Sequence, residues 1–173
     1  MKLHLIAKLN KTAREKSSAA KGWRKKYDYV YRFSEGLAEV RLNGKYGFVN
    51  EQGEEAVPPK YDVVGPFSEG LAKVKLKDKW GFVDKQGKEV IPLKYDDAEY
   101  FFEGLAAVEL EGKCGFVDKQ GKEVVTPKYD YVEDFSEGLA EVKLDGRHGW
   151  VDKTGNEYWD MTEDQAREQM KKQ

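Results

Sequence analysis

Cys114 and His148 lie 34 residues apart, and both side chains can ligate a metal. A structural zinc site needs four such ligands, but the chain has no second cysteine and only one other histidine, His4. The pair is therefore expected to hold no metal. The loops Asp84-Lys85-Gln86-Gly87 and Asp118-Lys119-Gln120-Gly121 share Asp and Gly with calcium loops, yet lack the alternating oxygen ligands of an EF-hand. Neither histidine sits in a nucleophile motif, and no glycine-rich phosphate loop of the Walker or Rossmann kind occurs. Carboxylates are abundant, but Glu35, Glu69, Glu103 and Glu137 recur once every 34 residues. A glycosidase-like acid/base pair should be unique, so a glutamate present once per copy reads as scaffold. The expectation is a non-enzymatic protein without cofactor or metal.

Aromatic and charged columns remain. Tyr27, Tyr61, Tyr95 and Tyr129 form one ladder, which reads as packing between copies. A second column does not stay constant: it runs Tyr46, Trp80, Cys114, His148. Its cross-strand neighbours vary as well, as Arg41, Lys75, Glu109 and Lys143. Repeat proteins keep partner specificity in variable residues on a fixed frame. The candidate partner-binding set is therefore Tyr46, Trp80, His148, Arg41, Lys75, Glu109 and Lys143. Exposed aromatics there would also suit stacking on a polysaccharide.

Charge supplies one more candidate. Residues 1–26 hold nine Lys or Arg against the single acid Glu15, a net of +8, so the remainder of the chain, whose total is −2, carries −10. Lys8, Lys11, Arg14, Arg24 and Lys25 form a candidate basic arm. An acidic body is a poor match for nucleic acid, so only this arm would serve that role. Leu5, Ile6, Leu9 and Ala13 fall on one face at helical spacing, which predicts a helix over 2–20 that Gly22 ends. Such a helix would cap the repeats, with Trp23 anchored on the first of them.

The elements that hold these columns come from a period without insertions or deletions. Phe33, Phe67, Phe101 and Phe135 each open a copy, 34 residues apart. In the first copy, Ala38 to Leu42 alternates apolar and charged, the period of a strand. Asn43-Gly44 then predicts a two-residue hairpin with both central residues at positive φ. Lys45 to Val49 returns, Gly53 closes a longer turn, and a short third strand Glu55 to Val57 is stopped by Pro58-Pro59. The register opposes Ala38 to Val49, Val40 to Gly47 and Leu42 to Lys45. Ala38, Val40, Leu42 and Val49 then share one face, with Glu39, Arg41, Tyr46 and Phe48 on the other. Gly47 allows a close approach, and the Phe48 column (Phe82, Phe116, Trp150) is to be covered by the connector. After Trp159 the pattern stops. Thr162 to Gln165 reads as a capping box and Met161 as a staple to Ala166, which predicts a short C-terminal helix.

The copies resemble the bacterial WG, or KWG, repeat, whose pattern is roughly F-x-E-G-L-A-x-V, G-K-W-G-F-I-D and G-K-E-V-I-P-x-K-Y-D. The second copy matches best: Phe67, Glu69 to Ala72, Val74, Lys79-Trp80-Gly81-Phe82-Val83-Asp84, Gly87 to Pro92 and Lys94-Tyr95-Asp96. The signature Trp occurs only as Trp80; Tyr46, Cys114 and His148 replace it elsewhere, and the fourth copy lacks the Pro-x-Lys-Tyr-Asp ending. The resemblance implies arrays of short β-meanders that mediate interactions, with no catalytic residues.

The expected fold is an all-β repeat protein of four three-stranded units in an open, solenoid-like array, the alternative being a small four-bladed propeller. The expected organisation is a basic arm over 1–25, repeats over 26–59, 60–93, 94–127 and 128–160, and a capping helix over 161–173. A short apolar run after Met1, broken by His4, is a poor secretory signal, and one cysteine permits no disulfide within the chain, which together suit the cytoplasm. The expected partner is another protein, or else a polysaccharide, with no membrane.

Overall fold

The structure, a computed structural model, describes residues 22–172. The helix expected over 2–20, with Lys8, Lys11 and Arg14, lies outside these residues. The described residues begin with a 3-10 turn at Trp23–Lys26 and then form sixteen strands in four antiparallel sheets of four. The first sheet holds β1 (Tyr29–Ser34), β2 (Leu37–Leu42), β3 (Lys45–Asn50) and β4 (Glu55–Tyr61). The second holds β5 (Val63–Val64), β6 (Leu71–Leu76), β7 (Lys79–Asp84) and β8 (Glu89–Tyr95). The third holds β9 (Asp97–Ala98), β10 (Leu105–Leu110), β11 (Lys113–Asp118) and β12 (Glu123–Tyr129). The fourth holds β13 (Tyr131–Val132), β14 (Leu139–Leu144), β15 (Arg147–Asp152) and β16 (Glu157–Trp159), followed by helix α1 (Glu163–Met170).

The three-stranded unit needs correction. The connector adds a fourth strand, because Val63 and Val64 pair with Lys75 and Val74 while the Asp62 amide donates to the Lys75 carbonyl. The prolines do not stop the third strand either. β4 runs through Pro58-Pro59 to Tyr61 as a bulge: Tyr46 opposes Tyr61 and Phe48 opposes Val57, so the one residue between them on β3, Gly47, faces three on β4. The bulge presses its backbone onto β3. A Cβ on Gly47 would lie 2.3 Å from the Val57 carbonyl oxygen and 2.7 Å from Pro59 N, which is why that position carries glycine.

The central hairpin pairs as the sequence register predicts, Ala38 with Val49, Val40 with Gly47 and Leu42 with Lys45. Its turn residues Asn43 and Gly44 have φ of +52° and +79°. Glu35 and Gly36, at +49° and +86°, form a second tight turn between β1 and β2.

The core lies between sheets. Phe48, Val57 and Tyr61 of the first sheet bury against Val64, Phe67, Ala72, Val74 and Val83 of the second, and the next two junctions repeat this arrangement. The Phe48 ring meets the connector's Phe67 edge-on at 4.8 Å, as Phe82 meets Phe101 and Phe116 meets Phe135. Two sheet faces remain at the ends. Ala38, Val40 and Val49 are covered by Trp23 and Tyr27. Leu139 and Tyr158 are covered by Ala166 with Met161 and Met170, and the Thr162–Gln165 capping box starts the helix that delivers them.

Candidate partner-binding surface

The residues identical in every copy are used by the scaffold. Tyr61, Tyr95 and Tyr129 are fully buried, and the Tyr27 and Tyr95 hydroxyls donate to Glu55 and Glu123 at 2.8 and 3.1 Å. The Asp of each Lys-Tyr-Asp triplet accepts from its own hairpin turn: Lys77 N to Asp62 at 2.9 Å and Glu111 N to Asp96 at 2.8 Å. The same Asp pairs with a lysine of the previous copy, Lys45 with Asp62 and Lys79 with Asp96, and that lysine holds the carboxyl below its ordinary range. Glu69 and Glu103 accept from the next copy's Gly104 and Gly138 amides, at 3.0 and 2.9 Å, and pair with Lys119 and Lys153. The recurring glutamates are thus ties between copies.

The variable residues occupy the outer part of one face of each sheet. Strand register opposes Arg41 to Tyr46, Lys75 to Trp80, Glu109 to Cys114 and Lys143 to His148. The first strand of each sheet extends the row, placing Tyr29 beside Arg41, Val63 beside Lys75, Asp97 beside Glu109 and Tyr131 beside Lys143. Sequence reasoning missed this outer rank because it treated the connector as unpaired. Tyr29, Val63, Asp97 and Tyr131 differ among copies just as the chosen columns do, so the signal was present.

Each copy presents different chemistry. On the first sheet the Arg41 guanidinium lies 5.6 Å from the Tyr46 ring, and Tyr29 and Tyr31 are exposed side by side, their rings 6.4 Å apart. On the second, Trp80 carries two ammonium groups, Lys73 at 5.0 Å and Lys75 at 5.7 Å from its ring centre. On the third, Asp97, Glu109 and Cys114 line a pocket of about 140 Å³ with Ala98, Glu99, Ala107, Val108 and Val132. Burial, and then Glu109, Asp130 and Asp97, push the Cys114 thiol up, which keeps it protonated and a weak nucleophile at neutral pH. On the fourth, His148 Nδ1 lies 2.8 Å from Glu141, and Lys143 sits 5.6 Å from the exposed Tyr131 ring. Cys114 and His148 therefore occupy equivalent places on successive sheets, each engaged with its own sheet's neighbours.

Of the basic arm, Arg24 and Lys25 are described. Both lie exposed in the 3-10 turn, Arg24 at 5.1 Å over Trp23 and 5.8 Å over Phe33. Trp23 is anchored on the first sheet as expected, close enough that a Cβ on Gly53 would strike its ring.

A family model described as WG containing repeat matches residues 25–46, 46–80, 80–114 and 115–147. No curated protein matches the chain. Among solved structures it is similar to Hsv2 of Kluyveromyces lactis, at 10% identity and a TM-score of 0.45 over 75% of this chain and 50% of that one. It is also similar to the extracellular domain of the one-component system BT4673 of B. thetaiotaomicron, at 13% identity and a TM-score of 0.43 over 79% and 24% of the two chains. The chain spans about half the length of the Hsv2 chains it matches.

Proposed function

We propose that this chain, which belongs to the family of WG-containing repeats, is a non-enzymatic interaction module that binds a macromolecular partner, most simply another protein, through the variable face. One observation carries the reading: the side chains shared by all four copies go into junctions and ties, while those that differ gather on one solvent-facing rank of strands. Catalysis would ask for a converging set of groups, whereas this rank is cationic and aromatic on the first, second and fourth sheets and acidic on the third. Specificity by a row of unlike patches is the logic of repeat binders.

The four sheets are proposed to form an open stack. Its support is that both terminal faces are covered by segments outside the repeat, Trp23 at one end and α1 at the other, rather than by each other. A cytoplasmic setting is proposed from the lone cysteine. No helix among the described residues is long and apolar enough to cross a membrane.

The test is capture of a partner by the immobilised protein, compared with a Tyr46→Ala/Trp80→Ala variant and a Lys143→Ala/His148→Ala variant. Both should keep the wild-type circular dichroism. Loss of a stoichiometric protein partner in either supports the reading; equal capture by all three proteins rejects it. The exposed Tyr29 and Tyr31 of the first sheet, on the same sheet as the half-buried Tyr46, favour a second reading, stacking on a polysaccharide. Retention on glycan that is lost with Tyr46→Ala, and with no protein captured, would select it.

A further inference from the structure

One side chain on the variable face shows what the junction between copies can hold. Lys73 of β6 reaches across to the third sheet. Its ammonium donates to the Ala98 carbonyl at 2.7 Å, approaches Glu99 at 3.5 Å, and lies 5.0 Å from Trp80 and 4.4 Å from Tyr100. The junction between second and third sheets is thus a built recess for a lysine side chain: a carbonyl and a carboxylate at the end, apolar and aromatic walls along the stem.

The same recess recurs one copy later with its occupant removed. Moving 34 residues along the chain replaces Lys73 by Ala107, Trp80 by Cys114 and Ala98 by Val132. Those three residues line the pocket of about 140 Å³ on the third sheet. A buried apolar cavity of about 150 Å³ accepts benzene, so this one has room for the four-carbon stem and ammonium of a lysine. The walls match that occupant. Ala98, Ala107 and Val108 give an apolar floor, while Asp97, Glu99 and Glu109 give three carboxyl groups. Several scaffold carboxylates on this chain are paired with lysines of an adjoining copy. Among the described residues Asp97 and Glu109 take part in no ion pair, and Glu99 has only the loose contact with Lys73. Asp134, on the far side, has its carboxyl raised by burial and by the charges of Glu99 and Glu133, which marks an excess of negative charge there.

We infer that the recess around Ala107, Cys114 and Val132 is a docking point for a lysine side chain supplied by a basic partner protein. The inference rests on the interaction reading above and gives its partner a chemistry. The stem lies on Ala98, Ala107 and Val108, and the ammonium points to the Val132 carbonyl, as Lys73 points to that of Ala98. Glu109 and Asp97 supply the countercharge. Lysine fits better than arginine, because the internal occupant of the equivalent recess is a single ammonium bonded to one carbonyl, not a planar fork.

The experiment titrates n-butylammonium into the full-length ¹⁵N-labelled protein and follows the amide resonances of Ala107, Cys114 and Val132. n-Butanol serves as the uncharged control. The deciding variant is Ala107→Lys, which restores the occupant found one copy earlier and should fold with an unchanged or higher Tm. Saturable shifts at these three amides with butylammonium, at least tenfold weaker with butanol and abolished in Ala107→Lys, are expected. No shift in the wild type, an equal response to butanol, or an undiminished response in Ala107→Lys would each overturn the assignment. The interaction reading fails separately, through the Tyr46, Trp80, Lys143 and His148 variants, none of which replaces a residue lining the recess. If those variants lose a protein partner that Ala107→Lys still binds, the lysine docking role is wrong and the broader reading stands.

Discussion

At the scale of single residues, two glycines of one copy type answer different demands. A Cβ on Gly81 would lie 2.5 Å from the Ile91 carbonyl oxygen and 2.8 Å from the Pro92 carbonyl carbon, both backbone atoms of the bulged strand. Gly81→Ala must push β8 away from β7 and should cost about 1–3 kcal/mol, as overpacking does. Gly44 has nothing within 4 Å of its imagined Cβ and needs only its φ of +79°, so Gly44→Ala should cost about 1 kcal/mol. Urea unfolding of the two variants checks the order; a larger loss for Gly44→Ala would contradict the bulge argument. The need for a close approach was legible from the recurring glycine. What approaches it was not, because a bulge depends on where the strand slips in register, and the prolines read as an end rather than a slip.

Asp152 is another residue whose surroundings decide its chemistry. It is buried, yet accepts from the Thr154 and Asn156 amides at 2.8 and 3.0 Å, from both their side chains, and from the Tyr158 hydroxyl at 2.9 Å. Burial alone would raise its carboxyl, but these donors outweigh it and lower the pKa to about 2. A depressed folded value stabilises the protein above the unfolded value of about 3.9 and loses that contribution as pH falls toward 2, about 2 kcal/mol in all. Chemical unfolding followed between pH 5 and pH 2 should show this loss, and Asp152→Asn should flatten it. The corresponding Asn50 in the first copy already lacks the charge, so Asn50→Asp tests whether the turn alone creates the effect.

At the scale of elements, α1 does the work of a fifth copy. In each junction the glutamate of the tight turn is met by the next copy's lysine and glycine amide, as Glu103 is by Lys153 and Gly138. After the fourth turn no copy follows, and Arg167 of α1 donates instead to the Glu137 carbonyl at 2.8 Å and approaches the Glu137 carboxylate at 3.6 Å. Ala166, fully buried, packs with Leu139 and Tyr158 on the fourth sheet's outer face. Ala166→Asp places a carboxylate against Leu139 and Tyr158 and should cost about 2–4 kcal/mol. Gln165→Ala breaks only the capping box and should cost about 1 kcal/mol. Thermal melting distinguishes them, at roughly 2–4 °C per kcal/mol for a chain of this size. Equal small losses would mean that the helix rests on the fourth sheet without sealing it. This helix was legible, since capping box, staple and apolar positions all sit within ten residues. The first strand of each sheet was not, because two paired residues such as Val63 and Val64 carry no period.

At the scale of the whole molecule, a repeat whose every junction uses the same contacts should be extensible. Duplicating 62–95, one full period, and inserting it after Tyr95 creates one new junction, in which Phe82 meets a second Phe67, and keeps the Phe48–Phe67, Phe82–Phe101 and Phe116–Phe135 pairings. In an open stack the five-copy chain should fold, its denaturant m-value should rise by roughly a quarter with the added buried surface, and its longest dimension in solution scattering should grow by about 10 Å, one sheet spacing. A ring sealed by contact of first and fourth sheets would respond differently: it must reclose at a new radius or expose both faces. Aggregation of the five-copy chain, or an unchanged longest dimension, would therefore sink the open stack. The period and faces that make this test designable were visible in the sequence, because four samples of each position separate shared core from variable surface. The two end covers were visible as well, Trp23 as an anchor and the capping box as a helix start; the angle between successive sheets was not, because it depends on how two copies pack and no single copy's pattern carries it.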